Sequence, residues 1–214
     1  MSHILIYRSR LTLTILCLIV TCIRAYPQGN TVITYGIREG MYSNNISSMF
    51  RDSKGRIWVS GYTSGVSMFE GSKWHRYSVS NGLASNYKGK IGEDKDGNIW
   101  IGHFKGSFIS KISKNDVKVY TLPSNNELYL YITDNGTPAC LILNSNTWQI
   151  GVYNKARDTF EMTGQKFTLK DPSYMGYNLR KDIYLSDTKS IYRVNSHGIT
   201  KPDKVFQSDK EIQH

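Results

Sequence analysis

The residues able to do chemistry in this 214-residue chain are few and dispersed. His75, His103, His197 and His214 stand apart in sequence, with no His-Glu-x-x-His or Cys-x-x-Cys spacing to hold a metal. No Gly-x-Ser-x-Gly elbow presents a nucleophilic serine. Asp94-x-Asp96-Gly97 opens like a calcium loop, but the terminal glutamate of that ligand set does not follow, and the matching turn at Asp52 lacks the second acid. An ordinary hairpin turn accounts for both. Cys140, beside Leu141-Ile142-Leu143, reads as a small buried apolar residue. These patterns imply no catalytic residue, cofactor or metal. They leave Tyr62 and His103, which follow two tryptophan-bearing segments in equivalent loops and differ from each other. Aromatic and polar residues at such a rim can stack on sugars and hydrogen-bond their hydroxyls, so these two are the candidate ligand-binding residues.

The elements that position them come from a repeat. Gly40-Met41-Tyr42-Ser43-Asn44, followed by Asp52-Ser53-Lys54-Gly55-Arg56-Ile57-Trp58-Val59, recurs 42 residues later as Gly82-Leu83-Ala84-Ser85-Asn86 and Asp94-Lys95-Asp96-Gly97-Asn98-Ile99-Trp100-Ile101. Self-similarity at this period marks a stacked architecture. Tyr35, Tyr77 and Tyr120 open three successive units. Stepping on by the same period from Trp100 reaches Ile142 and then Tyr184, giving four units at 35–76, 77–119, 120–165 and 166–205.

Within the first unit, Ile46–Phe50, Arg56–Ser60, Val66–Phe69 and Trp74–Val79 are short, rich in β-branched and aromatic residues, and bounded by turn formers. No segment after the N-terminus sustains a capped 3.6-residue apolar period, so helices should be scarce. Four strands in about 42 residues is the size of one β-propeller blade. The expected fold is all-β, a partial propeller of about four blades, each a four-stranded antiparallel sheet. Both faces of a blade pack against neighbours, so Trp58 and its flanking Ile57 and Val59 can all be buried. Gly40, Asp52, Gly55, Trp58, Gly82, Asp94, Gly97, Trp100 and Tyr184 are assigned to blade structure.

The N-terminus reads as a targeting segment. Arg8 and Arg10 precede an apolar stretch, Leu11 to Ile23, and Ile23-Arg24-Ala25 offers a cleavage site, so residues 1–25 are read as a signal peptide and 26–34 as a lead-in. Retention as an uncleaved anchor, and lipidation at Cys22, are the alternatives. Loss of Arg8, Arg10 and Arg24 lowers the formal charge from +10 to +7, and only Cys140 then remains, excluding an intramolecular disulfide. The charges are scattered singly, without the concentrated patch that nucleic acid requires.

The pattern Gly-Leu-x-Ser-Asn, then Asp-x-x-Gly-x-Ile-Trp-Ile-Gly, then Gly-Leu/Val resembles two-component regulator propeller repeats, strongly over 35–110 and weakly over 111–205. The resemblance implies the periplasmic sensor region of a bacterial hybrid histidine kinase, linked to polysaccharide use. It implies an oligosaccharide or other small ligand, and as partners the further blades and signalling modules of a longer parent protein, for which a dimer is one expected form. Ser60 stands where the second copy has Gly102, Lys88 where the first has Ile46, and Ser107 where Leu or Val is expected. The chain lacks the later membrane span and kinase glycine motif of such sensors, and 206–214 reads as a truncated tail. The expectation is therefore an N-terminal fragment, not itself an enzyme. A propeller that serves structure or protein interaction in the cell envelope is the alternative.

Overall fold

The computed structural model describes residues 32–114, 116–123, 127–144, 147–168, 174–177, 183–186, 189–194 and 203–209. Residues 1–25, read from the sequence as a signal peptide, lie outside these, as do His197 and His214. Residues 35–214 form one compact unit. Residues 1–34 form another, of which 32–34 are described, without regular secondary structure. Among the described residues no helix is long and apolar enough to cross a membrane.

The larger unit contains four four-stranded sheets, each an antiparallel meander of consecutive strands. The first has β1 (Ile46–Arg51), β2 (Ile57–Gly61), β3 (Val66–Glu70) and β4 (Lys73–Tyr77). The second has β5 (Gly89–Glu93), β6 (Ile99–His103), β7 (Phe108–Ser113) and β8 (Asp116–Thr121). The third has β9 (Leu128–Ile132), β10 (Pro138–Asn144), β11 (Thr147–Asn154) and β12 (Thr159–Thr168). The fourth has β13 (Tyr174–Tyr177), β14 (Ile183–Ser186), β15 (Ser190–Val194) and β16 (Asp203–Gln207). β1 packs against β5, and β5 against β9, so the first strands of the first three sheets lie innermost. This is the blade arrangement of a propeller.

The doubled sequence is explained by two small hydrogen-bonded units. In the first, Gly40 and Gly82 close short 3-10 turns at φ 112° and 104°, a backbone region open mainly to glycine. Asn44 Oδ1 accepts the Ile37 N–H and Asn86 Oδ1 the Val79 N–H at the start of each turn. Met41 and Leu83, next to the glycines, are buried, and the N–H groups of Tyr42 and Ala84 reach Ser67 Oγ and Ser110 Oγ.

The second unit is the hairpin. Asp52 Oδ1 accepts the N–H of Lys54 and Arg56, and Oδ2 accepts the Trp58 indole N–H at 2.8 Å. Asp94 Oδ1 does the same for Asp96 and Asn98, and Oδ2 takes the Trp100 indole at 2.7 Å. One carboxylate thus fixes both the turn and the ring six residues on. Burial raises the Asp52 carboxyl, but bonds from Trp58 and Arg56 outweigh it and hold it below its ordinary value.

The tryptophans face forward along the stack. Trp58, Val66 and Met68 of the first sheet meet Ile99, Ile101 and Ile112 of the second. Trp100 and Ile109 meet Leu128, Leu130 and Cys140 of the third. Strand alternation therefore buries Trp100 on one face and Ile99 and Ile101 on the other. Tyr77 packs on Trp58 and Tyr120 on Trp100, each with ring centroids 5.5 Å apart. These tyrosines belong to the last strands of the first and second sheets rather than to the openings of the next.

The third unit corrects the sequence register. Thr133, Gly136 and Thr137 repeat the backbone bonds of Asp94, Gly97 and Asn98, so the step is 39 residues rather than 42. Ala139, not Ile142, occupies the Trp100 position. The cause is the connection between β8 and β9, which omits the Gly-Leu-x-Ser-Asn turn. An odd displacement along a strand reverses the face. Ile142 accordingly packs back towards the second sheet, while buried Ala139 joins Trp148 and Tyr131 on the forward face. Tyr184 lies in β14, half-buried, and the turn before it lies outside the described residues.

Trp100→Ala should destabilise the fold by roughly 3–5 kcal/mol through the cavity it leaves. Urea denaturation followed by circular dichroism measures this; an unchanged midpoint would contradict the buried assignment.

Candidate functional site

A cleft of about 280 Å³ opens where the starts of β1, β5 and β9 converge with the ends of β2 and β6. Its wall carries Tyr62, Lys88, Lys90, Phe104 and Tyr129. Tyr62 and Phe104 are the equivalent residues just past β2 and β6, and Lys88 immediately precedes β5. The backbone joins all three: the Lys88 N–H donates to the Tyr62 carbonyl at 2.9 Å, and the Phe104 N–H donates to the Lys88 carbonyl at 3.0 Å.

The side chains follow the backbone. The Lys88 ammonium sits 4.7 Å from the Tyr62 ring centroid and 4.6 Å from that of Phe104. Both rings offer it their electron-rich faces. Phe104 meets Tyr129 edge to face, with centroids 5.6 Å apart. The Tyr129 hydroxyl donates to Glu127 at 3.0 Å, and burial, then that carboxylate, push its pKa upward, keeping it neutral.

Close packing shapes the floor. A Cβ on Gly102 would lie 2.4 Å from that of Leu130, so glycine alone lets β6 approach β9. The Ser60 hydroxyl, at the position equivalent to Gly102, accepts the Gly89 N–H at 3.0 Å, and Ser48 donates to the Gly89 carbonyl at 2.6 Å. The serine departure at position 60 thereby grips β5 from the neighbouring sheet.

The two candidate residues separate. Tyr62 is partly exposed and lines the cleft. His103 was expected at the same rim, but it is the last residue of β6 and its side chain is fully enclosed. Counting from the tryptophans explains the error: Tyr62 is four residues past Trp58, and His103 only three past Trp100. The imidazole Nδ1 faces the Tyr87 carbonyl, which can only accept, so a neutral ring carries its proton there and Nε2 accepts the Ser110 hydroxyl at 2.8 Å. Burial lowers the His103 pKa to about 4.

Other chemistry-bearing residues are absorbed by structure. Asp94 is spent on its turn and indole, and Asp96 pairs with Lys155 at 2.7 Å. Cys140 is enclosed, and burial pushes its thiol up to about 12. Among the described residues no group of His, Cys, Asp or Glu could hold a metal ion. Sequence reasoning flagged Lys88 as a departure from Ile46 without connecting it to Tyr62. The lysine and the equivalent aromatic pair, 62 and 104, were the available signal.

Residues 43–63 match the family model described as two component regulator propeller. The chain contains a repeat of the two-component regulator propeller family. No curated protein sequence matches it. Its propeller resembles the extracellular domain of a hybrid two component system from B. thetaiotaomicron, at 18% identity and TM-score 0.60, over 85% of this chain and 24% of that one. A second such domain from the same organism gives 18% identity and TM-score 0.56, over 80% and 25%. A catalytically inactive virginiamycin B lyase from Staphylococcus aureus, solved with quinupristin, gives 14% and 0.63, over 86% and 62%. The propeller thus spans about a quarter of those extracellular domains and under two thirds of the lyase. At these identities the likeness is one of fold.

Two outcomes are expected. His103 is neutral in the fold but protonates near pH 6.5 when unfolded, so its contribution to stability is lost as pH falls from 6.5 towards about 4. The loss reaches roughly 3 kcal/mol at the lower limit. Urea titrations across this range should show it, and His103→Gln should flatten the profile. Separately, Cys140 should resist a thiol reagent until the chain is unfolded; rapid labelling of the native chain would contradict its enclosure.

Proposed function

We propose that this propeller is an extracytoplasmic, non-catalytic ligand-sensing segment of a two-component sensor, and that its ligand is an oligosaccharide. The observation that carries the reading is a division of labour. The repeated residues of turns and strands are consumed in blade contacts, whereas Lys88, which departs from the repeat, converges on one cleft with the aromatic pair at positions 62 and 104. The family repeat and the likeness in fold to extracellular domains of hybrid two component systems support the sensor context. The basic and apolar N-terminal segment supports export, with cleavage or retention as an anchor.

Signalling requires that the ligand favour one of two states, because a ligand of equal affinity for both shifts nothing. A cleft built from three adjacent blades suits this. A sugar seated in the cleft would touch the starts of β1, β5 and β9 together and so stabilise one relative setting of the three. Further blades and signalling modules are the partners this reading requires, and dimerisation is one way to convey the shift.

A panel of oligosaccharides tested by thermal shift with the purified chain decides the matter. At least one should raise the melting temperature and be recovered unchanged by chromatography, and Tyr62→Ala should reduce the shift while the unliganded melting temperature stays within a few degrees. Conversion of the sugar would assign the cleft to an enzyme, and absence of any shift would refute the ligand-sensing reading.

A further inference from the structure

The way Lys88 is held limits what the cleft can bind. A neutral sugar is commonly taken on an open aromatic face, but the faces of Tyr62 and Phe104 turned towards each other are occupied by the Lys88 ammonium, at 4.7 and 4.6 Å. Those contacts fix the ammonium without neutralising it, since an aromatic ring supplies a quadrupole and no net charge. Among the described residues Lys88 and Lys90 form no ion pair, and no residue lining the cleft is acidic. The nearby carboxylate, Glu127, accepts the Tyr129 hydroxyl. The hydroxyls of Ser47 and Ser48 on the β1 wall already donate to the Ser60 and Gly89 carbonyls, which leaves the lysines to meet a charge.

We propose that the cleft takes a saccharide bearing an anionic substituent, a carboxylate or a sulfate ester, seated on Lys88 with Lys90 beside it. This rests on the reading of the cleft as a ligand site and narrows its ligand class. Half-burial of Lys88 strengthens attraction to an anion relative to open water. Preorganisation between two rings spares the entropy that a free lysine loses on binding. The cleft is at the small end of ligand pockets, so it suits one charged ring of a longer chain.

Isothermal titration of the full chain with tetragalacturonate, a sulfated carrageenan tetrasaccharide and neutral maltotetraose tests this. Tetragalacturonate or the sulfated sugar should bind at least about tenfold tighter than maltotetraose, the better of the two identifying the substituent. Lys88→Gln should weaken that binding about tenfold, while Lys88→Arg, which keeps the charge, should retain most of it. Raising salt from about 50 to about 500 mM should weaken the wild-type interaction, a readout independent of how either variant folds. Equal or tighter binding of maltotetraose, or salt-insensitive binding, overturns the anionic assignment and leaves ligand sensing standing. Unchanged affinity in a folded Lys88→Gln chain also overturns it. Failure of all three sugars overturns it too, and a broader neutral panel then decides whether the sensing reading falls with it.

Discussion

The first two blades hang on the bond between a turn aspartate and the indole six residues later. Trp58 and Trp100 are essentially inaccessible to water, and an indole N–H buried without an acceptor costs roughly 1–3 kcal/mol. Asp52 and Asp94 are buried as well, and a buried carboxylate without donors costs more. Each group removes the other's penalty. The second carboxylate oxygen organises the turn N–H groups, so hairpin, ring orientation and forward interface are set by one side chain. A blade cannot keep the tryptophan and lose the aspartate cheaply.

The third sheet illustrates the coupling. Thr133 replaces the aspartate and Ala139 the tryptophan, so donor and acceptor disappear together. The Thr133 hydroxyl retains the turn role, accepting the Thr137 N–H at 3.0 Å. Bulk on the forward face is supplied from β11 by Trp148, whose ring stacks on Phe167. Its N–H has no acceptor among the described residues. The interface is filled, but the clasp that specifies register is gone. This is where the 42-residue period ceases to hold.

Legibility in the sequence followed the range of the interactions. Turn, strand and tryptophan lie within seven residues, so Asp52–Trp58 and its copy could be read directly, and alternation gave the two buried faces. The shift to Ala139 escaped because a missing inter-sheet turn leaves no mark except a change of spacing in a segment already degraded. His103 was misplaced by a single residue, and on a strand that converts a rim side chain into a core one. The lysine clamp was illegible because residues 62, 88 and 104 meet only when two sheets are side by side. Its traces, a lysine where the first copy has Ile46 and an aromatic at both equivalent loop positions, had meaning only in that juxtaposition.

The site inherits its precision from this scaffold. Lys88 is aimed by backbone bonds to Tyr62 and Phe104, and those residues are placed by the strands that the two clasps orient. The most direct measurement of that dependence is a double-mutant cycle on Asp94→Ala and Trp100→Phe, read by equilibrium urea denaturation. The phenylalanine keeps the ring but removes the N–H donor. A coupling energy of at least about 1 kcal/mol is expected, with Asp94→Ala much less costly in the Trp100→Phe background. Additive effects within about 0.3 kcal/mol would show that aspartate and indole act independently, and would contradict the account.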